Sequence, residues 1–331
     1  MMNKITIGIR SIITLVLLLV CSLPSGAQEL VSNNVHVGSL TYDFYDDGTA
    51  EVVYWKTYTS LKSVVVPEKV KDYKVTSIGH NAFDGCGLTN IELPSTLTSI
   101  GDSAFYFCFF IESVDIPSSV TSIGKSAFCM CRSLVNVKLP SSLTSIEDFC
   151  FSSCYSLTSI NLPPTITNIG DGAFDGCGSL TSIDLPTSVT SIGAYAFEWC
   201  ESLTSISLPA SITSIDDGAF GYCSALKEIV CYAEVPPTTD ELLSEYDGVT
   251  LYVPSSSIDA YKTSQYVWGK FSDIKPLDEY DAIDLPNASI CDTPNIICTF
   301  DGVRVSGSVS SLKPGMYLIR QGGKVRKVQV K

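Results

Sequence analysis

The side chains able to do chemistry fall into two groups, carboxylates and thiols. Glu92, Asp115 and Asp184 each lie between two apolar residues, in Ile91-Glu92-Leu93, Val114-Asp115-Ile116 and Ile183-Asp184-Leu185. Carboxylates paired across neighbouring strands would suit glycoside hydrolysis, one as acid and the other as base or nucleophile. Each is also the single outward residue of its strand, an ordinary solvated position. A nucleophilic Ser or Cys would need a nearby base, usually His, and an orienting carboxylate. The chain has two histidines, His36 and His80, and its serines, Ser182 and Ser191 among them, recur in turn and strand-surface slots. Cys129-Met130-Cys131 lacks the second pair that zinc requires, and no glycine-rich loop follows a strand and opens a helix. These residues assign no catalytic group, cofactor or metal.

Spacing accounts for the thiols better than reactivity does. Phe83, Phe105, Phe128, Phe151, Phe174, Phe197 and Phe220 follow one another at 22 and then 23 residues, each with a cysteine three residues later: Cys86, Cys108, Cys131, Cys154, Cys177, Cys200 and Cys223. A period of this length marks a solenoid. The clearest unit is Leu180 to Cys200, LTSIDLPTSVTSIGAYAFEWC, and units begin at Leu88, Ile111, Leu134, Leu157, Leu180 and Leu203. Within that unit Ile183 and Leu185 alternate with Asp184 as a short strand with one buried face, which Pro186 ends. Val189 and Ile192 put a second apolar edge into the core, Gly193 permits a tight turn, and Ala196, Phe197 and Cys200 fill the far side. One unit cannot bury these residues alone; stacking at about 4.8 Å pairs the strands in parallel and aligns Leu, Ile, Phe and Cys in columns. The seven column cysteines then read as free, buried, small hydrophobes. Cys150, Cys231, Cys291 and Cys298 lie outside the column, and a Cys291–Cys298 bridge stays open.

The units resemble the BspA-like leucine-rich repeats of the 23-residue Treponema type, L-x-x-I-x-L-P-x-x-x-x-x-I-G-x-x-A-F-x-x-C, from Val75 to about Cys231. Two departures stand out: Glu147 replaces the usual Gly, and Phe149-Cys150-Phe151 replaces Ala-Phe. The resemblance implies an α/β repeat solenoid, a right-handed leucine-rich-repeat coil with one parallel sheet face, irregular coil or short helical turns opposite, and capped ends. It also implies that residues 232–280, with Val235-Pro236-Pro237, Leu251-Tyr252-Val253-Pro254 and Trp268, form a C-terminal cap. Residues 28–74 read as an N-terminal β cap, since Leu40, Tyr42 and Phe44, then Val52 and Tyr54, alternate with polar residues around Asp46-Asp47-Gly48. About seven rungs give a length of about 35 Å before caps.

Residues 1–27 read as a signal peptide. Lys4 and Arg10 precede the apolar run Ser11–Cys21, and Ser25-Gly26-Ala27 sets cleavage after Ala27. Val20 is too bulky before Cys21 for a good lipobox. No segment reaches the roughly 20 apolar residues of a spanning helix. Residues 281–331 read as a linker and a β-strand tail in which Lys313, Arg320, Lys324, Arg326, Lys327 and Lys331 meet no acid. With Asp301-Gly302-Val303-Arg304-Val305 this tail resembles the C-terminal sorting segment of the type IX (Por) export system of Bacteroidetes; a small β-module without a sorting role is the other reading.

The 331 residues are 45% apolar and 17% charged, enough for a sizeable core and too apolar for disorder. A formal charge of -14 excludes a nucleic-acid partner, which needs a basic face. What the core does not dictate is then informative. On the strand face these positions are Asn90, Glu92, Ser113, Asp115, Asn136, Lys138, Ser159, Asn161, Ser182, Asp184, Ser205 and Ser207. Elsewhere Tyr106, Phe107, Phe109 and Phe110 crowd one coil and Trp199 another, and exposed aromatics favour protein or glycan contact. The sequence therefore predicts a secreted or outer-surface, monomeric, non-enzymatic binding protein of a Gram-negative bacterium. It is adhesin-like, with an extracellular protein or glycan as partner; an extracellular enzyme or enzyme-carrier acting on glycans is the alternative.

Overall fold

The computed structural model describes residues 28–53, 62–280, 297–299, 304–305, 315–321 and 324–330. The expected signal peptide, Cys21, Cys291 and most of the linker lie outside them. Residues 62–280 form a parallel solenoid with little helix. Every column residue expected in the core is buried: Phe83, Phe105, Phe128, Phe151, Phe174, Phe197 and Phe220 are at most 1% exposed. Their rings stack rung on rung, with centroids 5.1–5.7 Å apart and planes within 10°.

Rungs bond to one another along three sides, where the sequence predicts one sheet. The first side is the expected strand face, and it is discontinuous. Ser63–Val65 pairs with Asn90–Glu92, and Ser113–Asp115 pairs with Asn136–Lys138. Ser205–Leu208, Glu228–Cys231, Thr250–Val253 and Asp273–Pro276 then form one four-stranded sheet. Between those groups Ser159 and Asn161 lie in no strand, and Asp184 makes a single bridge to Ser207.

The second side, expected as coil, is the more regular ladder. Two-residue strands Ser99–Ile100 and Ser122–Ile123 stack on Tyr73–Ile78, and Ser145–Ile146, Asn168–Ile169, Ser191–Ile192 and Ser214–Ile215 stack on one another. Each Ile is buried and each Ser or Asn beside it is not, so the pair carries strand alternation too short to show as a period. Thr98, Thr121, Thr167, Thr190 and Thr213 reinforce the ladder, each hydroxyl donating to the carbonyl of the Thr one rung earlier.

The third side consists of successive turns around the column Phe. The N–H of Phe105 donates to Ala127 O at 2.8 Å, and that of Phe151 donates to Ala173 O at 2.9 Å. These turns hold two left-handed residues per rung, two before and two after the Phe: Ser103 and Phe107, Tyr195 and Trp199, or Gly172 and Gly176.

The glycine of the Ile-Gly pair has a different purpose from the turn expected of it. Gly193 is not in the left-handed region; a Cβ there would lie 2.6 Å from Asp171 N and 2.7 Å from the Gly170 carbonyl carbon. A side chain there requires the neighbouring rung to shift, and Gly101, Gly124 and Gly170 meet the same contact. Two rungs lack the glycine. At Asp216 the ladder holds, its N–H donating to Ile192 O at 2.9 Å. At Glu147 it opens: Ser122–Ile123 and Ser145–Ile146 do not pair, and Thr144 lacks the inter-rung bonds that its counterparts make. Glu147 instead accepts a hydrogen bond from Ser145 Oγ at 2.5 Å.

Both ends continue the ladders. At the N-terminus Leu30–Val37, Leu40–Tyr45 and Thr49–Val53 form an antiparallel meander whose last strand pairs in parallel with Tyr73–Ile78. At the C-terminus the short helix Ile258–Lys262 carries buried Tyr261, whose hydroxyl donates to Ala233 O at 2.9 Å. Trp268 is fully buried with its indole N–H on Pro237 O at 2.7 Å. These rings cover apolar surface that an open solenoid end would expose. The tail strands Ile297–Thr299, Arg304–Val305, Gly315–Gln321 and Lys324–Val330 form a separate four-stranded antiparallel sheet.

Candidate binding surfaces

Ten cysteines, the seven of the column with Cys129, Cys150 and Cys231, are free and buried. Burial pushes the Cys86 and Cys223 thiols up to about 12 and raises the fully buried Cys154 and Cys177 well above the usual thiol range. Nucleophilic chemistry needs the thiolate, so this environment opposes it. Each column thiol from Cys108 to Cys223 donates to the carbonyl of the Phe in the preceding rung, at 3.1–3.3 Å.

Asp184 stands apart from the other two carboxylates singled out from sequence. Asp184 is three rungs from Asp115, roughly 14 Å at the usual strand spacing, beyond the ~5–9.5 Å of a glycosidase pair. Glu92 and Asp115 are one rung apart and both exposed, with Asp115 opposite Lys138 in register. Asn90, Ser113, Asn136, Ser159 and Asn161 are likewise exposed, whereas Ser182, Ser205 and Ser207 are half-buried.

The aromatic residues divide into two surfaces. Near the N-terminus Tyr106 packs edge-on against Phe107 at 4.3 Å, and Phe107 edge-on against Phe109 at 5.4 Å. The Arg132 guanidinium lies 4.7 Å from the Phe109 ring and 5.7 Å from the Tyr155 ring, and Lys62 lies over exposed Phe110 at 5.2 Å. Trp199 belongs to a second surface, stacked on Tyr222 with centroids 4.2 Å apart and planes within 8°. Tyr195 leans over Gly218, where a Cβ would lie 2.8 Å from its ring, and Phe149 covers Gly172 in the same way. Phe149, Tyr195, Trp199 and Tyr222 are all 43–52% exposed.

Of the second surface, sequence reading finds only Trp199. Phe149, Tyr195 and Tyr222 were signalled by departures from small residues at the left-handed slots flanking the column Phe. Those slots become recognisable only once the turn geometry is known.

Half-buried Asp175 and Glu198 occupy the slot just after the Phe on neighbouring rungs. Burial raises both carboxyls, and for Glu198 the nearby Asp175 charge raises it further; Ser152 Oγ donates to Asp175 at 3.3 Å. Where the ladder opens at Glu147 there is a shallow cleft of about 470 Å³ lined by Asp102, Ser122, Lys125, Ser145 and Glu147. Lys125 is already bridged to Asp148 at 2.7 Å. Among the described residues no group of His, Cys, Asp and Glu is placed to hold a metal ion.

A stack of 23-residue rungs with parallel ladders and a Phe–Cys column defines a leucine-rich-repeat solenoid. Residues 54–177 and 144–263 match the BspA type leucine rich repeat region, in six copies, and the chain belongs to that family. It is similar to a leucine-rich repeat protein from Bacteroides ovatus, with 26% identity and a TM-score of 0.50 over 74% of this chain and 77% of the other. A leucine-rich repeat protein of T. pallidum is 26% identical over 65% of this chain and 89% of its own, with a TM-score of 0.43. No curated protein matches the chain. The repeat family is consistent with a binding role carried by the array, and its members are typically non-enzymatic.

Proposed function

We propose that this is an exported, non-enzymatic binding protein, adhesin-like, that holds an extracellular protein or glycan on an outward face of its repeats. The observation that carries this reading is the set of exposed aromatic rings, Phe149, Tyr195, Trp199 and Tyr222, on backbone bonded to the rungs on either side. A surface ordered before contact loses little conformational freedom on binding, so several weak contacts add effectively. The N-terminal leader and the basic tail support export, and an extracellular location fits the family. No helix among the described residues is long and apolar enough to cross a membrane.

The test is a screen of residues 28–331 against matrix proteins, glycans and bacterial surfaces. It is repeated with Glu92, Asp115 and Asp184 changed to Ala, and separately with Tyr106 and Trp199 changed to Ala. A saturable partner lost in either set supports the reading and tells which face carries it. Turnover of a polysaccharide that disappears with the carboxylates would overturn it in favour of an enzyme.

A further inference from the structure

The slot just after the column Phe holds Tyr106, Cys129 and Ser152 in the rungs ending at Cys108, Cys131 and Cys154, and Asp175 and Glu198 in the two that follow. The aromatics in the links after Cys108 and Cys154 have cations of their own: Arg132 lies against the rings of Phe109 and Tyr155, and Lys62 lies over Phe110. In the rungs ending at Cys177, Cys200 and Cys223 the aromatics accompany Asp175 and Glu198. The ion pairs among the described residues are Lys125–Asp148 and Lys275–Asp273, so neither of these two carboxylates has a cationic partner there. Glu198 leans toward the next rung over Gly221, where a Cβ would lie 3.4 Å from its Oε1. Tyr195 leans the same way over Gly218 on one side of it, and Trp199 stacks on Tyr222 on the other. A carboxylate strip thus runs along the array between aromatic residues.

An occupant of this strip has to satisfy two half-buried negative charges and present a face or an apolar stem to indole and phenol rings. A planar guanidinium on a three-carbon stem does both, bonding a carboxylate in bidentate fashion and stacking on aromatic faces. From this we infer that the Asp175–Glu198 strip, bordered by Tyr195, Trp199 and Tyr222, is a docking site for an arginine-bearing segment of a partner protein. The inference rests on the binding role proposed above and commits it to a basic polypeptide in place of a glycan. Charge complementarity supports it beyond the strip, because residues 28–312 carry a net charge of -22.

Trp199 supplies the readout. The chain has three tryptophans, of which Trp268 is fully buried, so a Trp55→Phe background leaves Trp199 as the exposed indole among the described residues. Titrating this protein, residues 28–331, with acetyl-(Gly-Arg)4-amide at physiological salt should give a saturable change in indole emission, and acetyl-(Gly-Gln)4-amide should give none. The double variant Asp175→Asn/Glu198→Gln should weaken binding at least tenfold while its Tm holds or rises, since neutralising a half-buried like-charged pair relieves repulsion. Tyr222→Ala should also weaken binding. Asp72→Asn/Glu112→Gln removes the same charge from exposed positions elsewhere and should change affinity less than twofold.

If that control pair weakens binding as much as the strip pair, the attraction belongs to net charge and the inference fails. It fails equally if the arginine peptide produces no saturable change. A response to cellohexaose in place of the peptide would sink the inference while leaving the broader binding role standing.

Discussion

Cys177 donates its thiol proton to the Phe151 carbonyl at 3.2 Å, and the fully buried side chain touches no water. The column cysteine is therefore both a small apolar filler and a polar clasp between rungs. Its burial is legible from the Phe-x-x-Cys period alone; the clasp depends on the offset between rungs, which the period does not contain. Cys177→Ala removes a buried group and a hydrogen bond and should cost about 1–2 kcal/mol, read as a lower denaturation midpoint. The raised thiols also set an alkaline limit. A thiol held protonated in the fold and free to ionise in the unfolded chain stabilises fully below the unfolded value, and that contribution is lost as pH rises toward the folded one. Each such group removes up to ~1.4 kcal/mol per pH unit above about 8.5. With ten of them buried, one unit past that value removes on the order of 10 kcal/mol, as much as a domain's whole stability. Cooperative unfolding should set in near pH 10, with the thiols reacting with a titrating reagent only then; stability unchanged to pH 11 would contradict the assigned environment.

At the scale of the element, the short strand of the Ile-x-Leu-Pro segment announces itself by alternation, whereas the Thr-Ser-Ile ladder does not. Two residues carry no period, and its regularity comes from Thr hydroxyls and N–H groups reaching the preceding rung. The Ile-Gly glycine is visible in the repeat, but its reason, the approach of the neighbouring backbone, needs the stack. The substitution of Glu147 is equally visible and its consequence is not: the ladder parts at that step and a cleft opens. Glu147→Gly should close it. Two restored backbone bonds at about 1 kcal/mol each, less the roughly 0.5–1 kcal/mol entropy cost of glycine, leave a net gain of about 1 kcal/mol. Hydrogen exchange offers the sharper check, since the Thr144 amide should exchange faster than those of Thr121, Thr167 and Thr190 in the natural chain and match them in the variant. Equal protection of Thr144 before the substitution would count against an open ladder.

Across the whole molecule the charge is divided unequally. Residues 28–312 carry -22, and residues 313–331 carry six cations and no acid. Among the described residues the strands of the tail pair with one another, Gly315–Gln321 with Lys324–Val330 and with Ile297–Thr299, and none pairs with a strand of the solenoid. The solenoid ends in its own cap, in which Tyr261 and Trp268 are fully buried. Stability of a stacked array is close to a sum over rungs and their nearest neighbours, so a segment that adds no rung adds little to it. Deleting Leu312 to Lys331 should therefore leave the thermal transition of the solenoid within about 1 °C, an expectation that calorimetry on the truncated and full chains decides. A small β-module that merely completed the fold would instead lower the transition on removal. If the tail is a sorting segment, the truncated chain expressed in a Bacteroidetes host should be retained in the periplasm, folded, while the full chain reaches the surface or the medium. Arrival of the truncated chain at the surface would make the tail dispensable for export.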